Sequence, residues 1–178
     1  MKEPFTILVY TEDKVGLLQR VVSTISRRKL NIESLNTSES GVPGIFRFTI
    51  VVESQEEWVR KTVANIEKQV EVHKALYFRD EDLVYQEIAL YKVPTQVLAA
   101  NGQAEEIVRR HHARVLSVEK DFTMLEKTGH EIETQALYKA LLPHGLQDFV
   151  RSGRVAITRP AREWHAHMEA LELEMTQE

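Results

Sequence analysis

The spacing of apolar residues changes period along this chain, and each change marks an element. Phe5, Ile7 and Val9 alternate with Leu8 and Tyr10 on the opposite face, which is the period of a strand. Leu17, Leu18, Val21, Val22 and Ile25 then share one broad helical stripe. Asn31 to Ser38 reads as a second strand, and the cluster Ser40-Gly41-Val42-Pro43-Gly44 breaks it with turn residues. Ile45 to Glu53 returns to alternation, with Phe46, Phe48, Ile50 and Val52 on one face. Ser54 is the expected N-cap of a second helix, with Glu56 and Glu57 in its first turn. Val59, Val63, Ile66 and Val70 supply its apolar face, and Val70 to Phe78 is the expected fourth strand. The order β-α-β-β-α-β predicts a split βαβ, or ferredoxin-like, sandwich with two helices on one face of an antiparallel sheet.

Asp80-Glu81-Asp82 is a polar break and the expected linker. Beyond it the scheme repeats more loosely. Glu87 to Pro94 reads as a strand, and Gln103 to His112 as a short helix with Ala104, Ile107, Val108 and His111 on one face. Ala113 to Val118 and Phe122 to Lys127 form a hairpin around the charged turn Glu119-Lys120-Asp121. Ile132, Ala136, Leu137, Ala140 and Leu141 mark another amphipathic helix, ended by Pro143 and Gly145. Leu146 to Val150 and Arg154 to Thr158 read as short strands flanking Ser152-Gly153. The fold class expected is therefore α+β, two ferredoxin-like βαββαβ domains, with little residue identity between the halves. Past Pro160, Trp164, Met168, Leu171 and Met175 recur at helical spacing in a tail that either docks or frays.

The chemistry concentrates where the first strand turns into the first helix, at Glu12-Asp13-Lys14-Val15-Gly16. The first-turn N–H groups of a helix have no intrahelical partner, and the aligned peptide dipoles add partial positive charge there. Such an end accepts a small anion, for example the carboxylate of a free amino acid. Gly16 carries no Cβ and leaves the backbone open to close approach. The plainer reading is that Asp13 caps the helix and Gly16 eases the turn. Arg27-Arg28-Lys29 at the other end of that helix offsets the dipole, and a solvated cap accounts for it better than a phosphate patch.

Composition narrows the classes. The 178 residues suffice for one ordinary domain or two small ones. The net charge of -4 argues against a general nucleic-acid binder. With no cysteine, disulfides and thiolate chemistry are excluded, and a reducing cytoplasm fits. No apolar run approaches the roughly 20 residues of a membrane-spanning helix, and the N-terminus carries no signal-peptide apolar core, so a soluble cytoplasmic protein without a membrane partner is expected. His111 and His112 are adjacent and point about 100° apart on a helix, so they do not chelate one ion together. His165 and His167 have no matching partner nearby in sequence, and no metal site is expected. No phosphate-binding loop, dinucleotide fingerprint or nucleophile elbow is found, and no catalytic residue is assigned. Glu56-Glu57 sits at a helix start, where the dipole explains it. A small domain of this kind leaves edge strands exposed, and pairing them between two copies builds a dimer whose geometry a bridging ligand can alter.

At the same residues the chain resembles the regulatory small subunit of acetolactate synthase, also called acetohydroxyacid synthase. Glu12-Asp13-Lys14-Val15-Gly16-Leu17-Leu18-Gln19-Arg20-Val21 is similar to the family's E-N-x-x-G-x-L-x-R-V, and Arg27-Arg28-Lys29-Leu30-Asn31-Ile32-Glu33-Ser34-Leu35 to its R-R-G-Y-N-I-E-S-L. Arg47 to Val52, Gln86 to Val93 and Arg151 to Ala156 extend the likeness in the same order as far as Arg159.

The resemblance implies an N-terminal ACT domain over residues 1–79, a ferredoxin-like domain over 83–159 and a tail over 160–178. It implies a homodimer through the ACT domains that does no chemistry itself. The partner would be a large catalytic subunit holding thiamine diphosphate, FAD and magnesium, which makes acetolactate or acetohydroxybutyrate; no cofactor is expected on this chain. The small subunit would activate that enzyme and confer feedback inhibition by valine, leucine or isoleucine, usually valine. The effector positions implied are Asp13, Val15, Gly16, Leu17 and Leu18 of one copy with Asn31 and Ile32 of the other. Asp13 replaces the family's asparagine, an acceptor-only anion in place of an amide. A free-standing ACT amino-acid sensor is the alternative, and an enzyme in its own right a third. The matching C-terminal half disfavours the sensor.

Overall fold

The computed structural model describes residues 2–100 and 102–159. The tail stripe of Trp164, Met168, Leu171 and Met175, with His165 and His167, lies outside the described residues. By compactness the chain divides into two units, Tyr85–Val155 and the remainder.

The first unit contains β1 (Glu3–Glu12), α1 (Leu17–Arg27), β2 (Ile32–Glu39), β3 (Ile45–Ser54), α2 (Glu56–Ile66) and β4 (Val72–Phe78). Its sheet has the order β2-β3-β1-β4, antiparallel throughout. β1 is interior, so both of its ladders are filled and both of its faces are apolar. Phe5, Ile7 and Val9 join Val21 and Ile25 of α1 and Val59, Val63 and Ile66 of α2 in one core. Leu8 and Tyr10 pack on the other face with Val42, Ile45 and Phe78. A continuous apolar run is what an interior strand with two covered faces requires.

Two boundaries differ from the sequence expectation. Ser54 is the last residue of β3, opposite Glu3, and Gln55 takes the N-cap position of α2 without a side-chain bond. Val70 is 95% exposed and outside the helix. After Ile66 the chain leaves through two successive turns, Gln69 N–H to Ile66 O and Val72 N–H to Gln69 O, so β4 begins only at Val72. The helical spacing of Val70 was a coincidence of one residue.

Lys29 closes α1 in the left-handed region, with φ 57°, and its N–H bonds Ser26 O at 2.8 Å. An L side chain there costs roughly 1–2 kcal/mol, and glycine's extra unfolded-state entropy offsets about half of the relief, so Lys29→Gly should stabilise the chain by about 0.5–1 kcal/mol. Urea unfolding of the two proteins tests this; an unchanged or lowered midpoint would show that no backbone strain is held at residue 29.

A one-turn 3₁₀ segment occupies Asp80–Asp82, where a linker was expected. It leads into β5 (Leu83–Pro94), which starts earlier than Glu87. Then come α3 (Thr95–Ala100), which the sequence reading missed, α4 (Gly102–Arg110), β6 (Arg114–Val118), β7 (Phe122–Gly129), α5 (Glu131–Leu141), β8 (Asp148–Arg151) and β9 (Val155–Thr158). The sheet order β6-β7-β5-β8 repeats that of the first unit strand for strand, with β9 pairing β5 off this path. The fold is α+β with two ferredoxin-like units.

The buried face of α5 is Thr134, Leu137 and Leu141, with Tyr138 packed beside them. Ile132 is 83% exposed, and Ala136 also faces solvent. The stripe expected from apolar residues alone was rotated because one buried position is polar. The Thr134 hydroxyl donates to the buried Glu87 carboxylate, and its carbonyl accepts from Tyr91 at 2.8 Å. A buried hydroxyl is tolerable when it is bonded in this way.

Candidate effector site at the glycine turn

The turn is tied down from two sides. Asp13 N–H donates to Gly44 O at 3.2 Å, and Glu12 N–H to Glu71 O at 3.1 Å. Leu17 N–H then bonds Lys14 O at 3.3 Å, and Arg20 N–H bonds Gly16 O at 3.1 Å to open the helix. Gly16 is the N-cap, with φ 85° and ψ -8°. That conformation is left-handed, so glycine is demanded there by the backbone. A Cβ built on Gly16 would meet nothing within 4 Å.

No side chain caps α1. Asp13 is exposed and is not the N-cap, which overturns the reading in which it caps the helix. With Leu17 N–H taken by Lys14 O, the first turn of α1 leaves the Leu18 and Gln19 N–H groups uncapped, which is the arrangement that receives an anion. Lys14 folds back onto Glu12, Nζ to Oε2 at 2.6 Å, so the nearest ammonium is paired locally.

Five of the seven residues singled out in the sequence lie on this turn. Val15 projects fully into solvent, Leu17 is buried at 1% exposure, and Leu18 is half-buried against the core. An exposed Val15 beside a half-buried Leu18 offers an apolar side chain somewhere to rest. Asn31 and Ile32 are elsewhere. They follow the C-terminal end of α1, and eleven helical residues put roughly 16 Å between the two ends. One chain does not bring the two groups into a single pocket. Asn31 Nδ2 donates to Glu33 Oε1 at 2.8 Å, which leaves Oδ1 to accept from an ammonium. Ile32 starts β2, an edge strand of its sheet, opposite Val52.

Gly44, whose carbonyl anchors Asp13, was read only as a turn residue. Its neighbour Val42 is buried at 2% exposure, and Ser40 N–H closes the loop onto Ile45 O at 2.7 Å. Turn composition alone carries no signal for that anchoring contact. Among the described residues no group of three or more histidine or acidic side chains could hold a metal, and no helix is long and apolar enough to cross a membrane.

Comparison with known proteins covers both halves. The family profile described as the AHAS small subunit-like ACT domain matches residues 7–74, and that described as the small subunit of acetolactate synthase matches residues 86–160. The acetolactate synthase small subunit of Mycobacterium bovis is 33% identical over 157 residues, which is 88% of this chain and 93% of the relative. That of Bacillus subtilis is 29% identical over 163 residues, 89% and 91% of the two chains. The crystal structure of the acetolactate synthase small subunit from Thermotoga maritima shares the fold with a TM-score of 0.80 at 24% identity, covering 89% of this chain and 98% of that one. With both halves matched in order and a relative above 30% identity spanning nearly its whole length, the chain belongs to the acetolactate synthase small-subunit family.

Proposed function

We propose that this chain is the non-catalytic regulatory subunit of acetolactate synthase, which activates the thiamine-diphosphate-dependent large subunit and confers feedback inhibition by branched-chain amino acids, valine foremost. Membership of a small-subunit family implies a catalytic large subunit as partner. On this reading residues 1–79 are the effector-binding and dimerising ACT domain, and 83–159 the family's C-terminal domain. Catalysis, with FAD and magnesium, belongs to the large subunit.

The observation that carries the proposal is the uncapped first turn of α1 behind a left-handed Gly16, at the end of the helix opposite Asn31 and Ile32. A zwitterion's carboxylate would sit on the turn of one copy. Its ammonium would reach Asn31 Oδ1 of the partner copy, and its branched side chain would lie among Val15, Leu18 and Ile32. Because the two halves of such a site lie at opposite ends of one helix, a second copy is needed to close it. The exposed edge of β2 supplies the seam. An effector shared by two chains changes the free energy of their arrangement, and this is what a neighbouring catalytic subunit can sense.

Reconstitution with the cognate large subunit tests the reading. Turnover should rise when this chain is added and fall as valine, leucine or isoleucine is titrated, while the isolated chain makes no acetolactate. A large subunit indifferent to this chain would refute it.

Asp13 places a carboxylate beside the effector's own. At about 4 Å in water that repulsion is roughly 1 kcal/mol, so Asp13→Asn should tighten valine binding about fivefold. Isothermal titration calorimetry gives the answer, and equal affinities would remove residue 13 from the site.

A further inference from the structure

The first sheet has two faces, and the helices of its unit account for one of them. Val21 and Ile25 of α1, with Val59 and Ile66 of α2, pack on the face of Phe5, Ile7 and Val9. On the other face Thr6 and Leu8 of β1 lie opposite Val51 and Thr49 of β3, and all four are at most 7% exposed. The apolar groups that join this face among the described residues are Val42, Ile45 and Phe78, and they sit at its margins. Ile45 pairs with Glu12 at one end, and Phe78 belongs to the outer strand β4. An antiparallel sheet with a bare face leaves that face to water. The second sheet does so, and Ile88 and Val150 on its outer face are about half exposed. The second face of the first sheet is buried without a helix of its own unit to bury it.

The described chain is led to this face. Arg47 stands there over the Tyr10 ring, 5.6 Å from its centroid, and its Nη2 donates to Ala156 O. Arg159 is held next, where its N–H donates to Asp82 O at 2.8 Å and its Nε to Leu83 O at 3.0 Å. In the sequence that follows, Trp164, Met168, Leu171 and Met175 fall at i, i+4, i+7 and i+11, one narrow helical stripe. Arg162, Glu163, Glu169, Glu172 and Glu174 keep off that stripe, and Pro160 suits a first helical position. A short helix is marginal in water by itself, so such a stripe needs a surface. As a helix, residues 161–176 would run about 24 Å, against roughly 14 Å between the outer strands of a four-stranded sheet.

We propose that residues 160–178 form a helix that docks across this face within the same chain, its apolar stripe resting on Thr6, Leu8, Thr49 and Val51. The first sheet is then covered on both sides, which is what the apolar run of β1 requires. The docking is independent of the effector site, whose residues lie at the two ends of α1.

The test uses the full chain with Trp58→Phe, which leaves Trp164 as its one tryptophan. Its emission should be blue-shifted, and acrylamide should quench it far more slowly than in urea. Thr49→Lys, which puts a charge under the stripe, should shift the emission to the red and speed the quenching. Ile88→Lys, on the outer face of the second sheet, should change neither. Leu171→Glu is confined to the tail and keeps the test open where Thr49→Lys does not fold. Its amide NMR spectrum should differ from the parent's at Thr6, Leu8, Thr49 and Val51 and match it at Ile88 and Val150. The proposal is overturned if Trp164 is as open to acrylamide in the native chain as in urea, or if a folded Thr49→Lys protein keeps it shielded. Release by Ile88→Lys, or Leu171→Glu shifts at Ile88 and Val150 instead, would also overturn it by placing the tail on the second sheet. So would recovery of shielding when the Thr49→Lys protein is mixed with an excess of tryptophan-free chain (Trp58→Phe with Trp164→Phe), the sign of a tail exchanged between copies.

Discussion

Gly16→Val should abolish valine inhibition of the reconstituted enzyme and destabilise the chain by about 1–3 kcal/mol. The destabilisation comes from the backbone alone. The space around a Cβ at residue 16 is open, but φ is 85°, where a β-branched residue is strained. Two effects are therefore mixed in that variant, and Gly16→Asn separates them. Asparagine tolerates the left-handed region, so its melting temperature should stay near that of the parent. Its side chain nevertheless stands over the first-turn N–H groups, so inhibition should still weaken. Full valine sensitivity in a stable Gly16→Asn protein would mean that the effector binds elsewhere.

The second large effect is expected in the other unit. Glu87 is 6% exposed, and Arg151 Nη1 approaches its two oxygens at 3.3 and 3.4 Å. Arg151 also reaches Glu131 at 2.8 Å, so one guanidinium serves two carboxylates. Arg151→Met leaves the buried Glu87 charge without its cation and should cost about 3–5 kcal/mol in urea unfolding. Replacing both partners, Glu87→Leu with Arg151→Met, should restore most of that loss, because no buried charge remains. The Thr134 hydroxyl retains an acceptor in Glu131 O at 3.0 Å. If single and double variants unfold at the same urea concentration, the cost of Arg151→Met was lost packing and not an unpaired charge.

That network was invisible in the sequence. Glu87 belongs to a segment read correctly as a strand, and nothing in its spacing says that its carboxylate points inward. The same blindness rotated the face of α5, where buried Thr134 broke the apolar count and exposed Ile132 was counted in its place. At Val70 the error ran the other way, since an apolar residue continued a helical rhythm after the hydrogen bonds had stopped. The glycine turn was more legible. Gly16 and the stripe from Leu17 to Ile25 located the helix start within a residue, yet Asp13 was a plausible cap on composition until Gly16 proved to hold that position.

What the sequence determined by itself is whatever follows from local periodicity and motif: most of the succession of strands and helices, their repetition in two halves, and the residues that place the chain in its family. Periodicity suffices there because each element buries its own apolar stripe. Only the tertiary structure decided which polar groups are buried together, and which end of α1 each candidate residue occupies. Those facts depend on distances between elements, and a polar residue carries the same letter whether it faces water or a partner across the core.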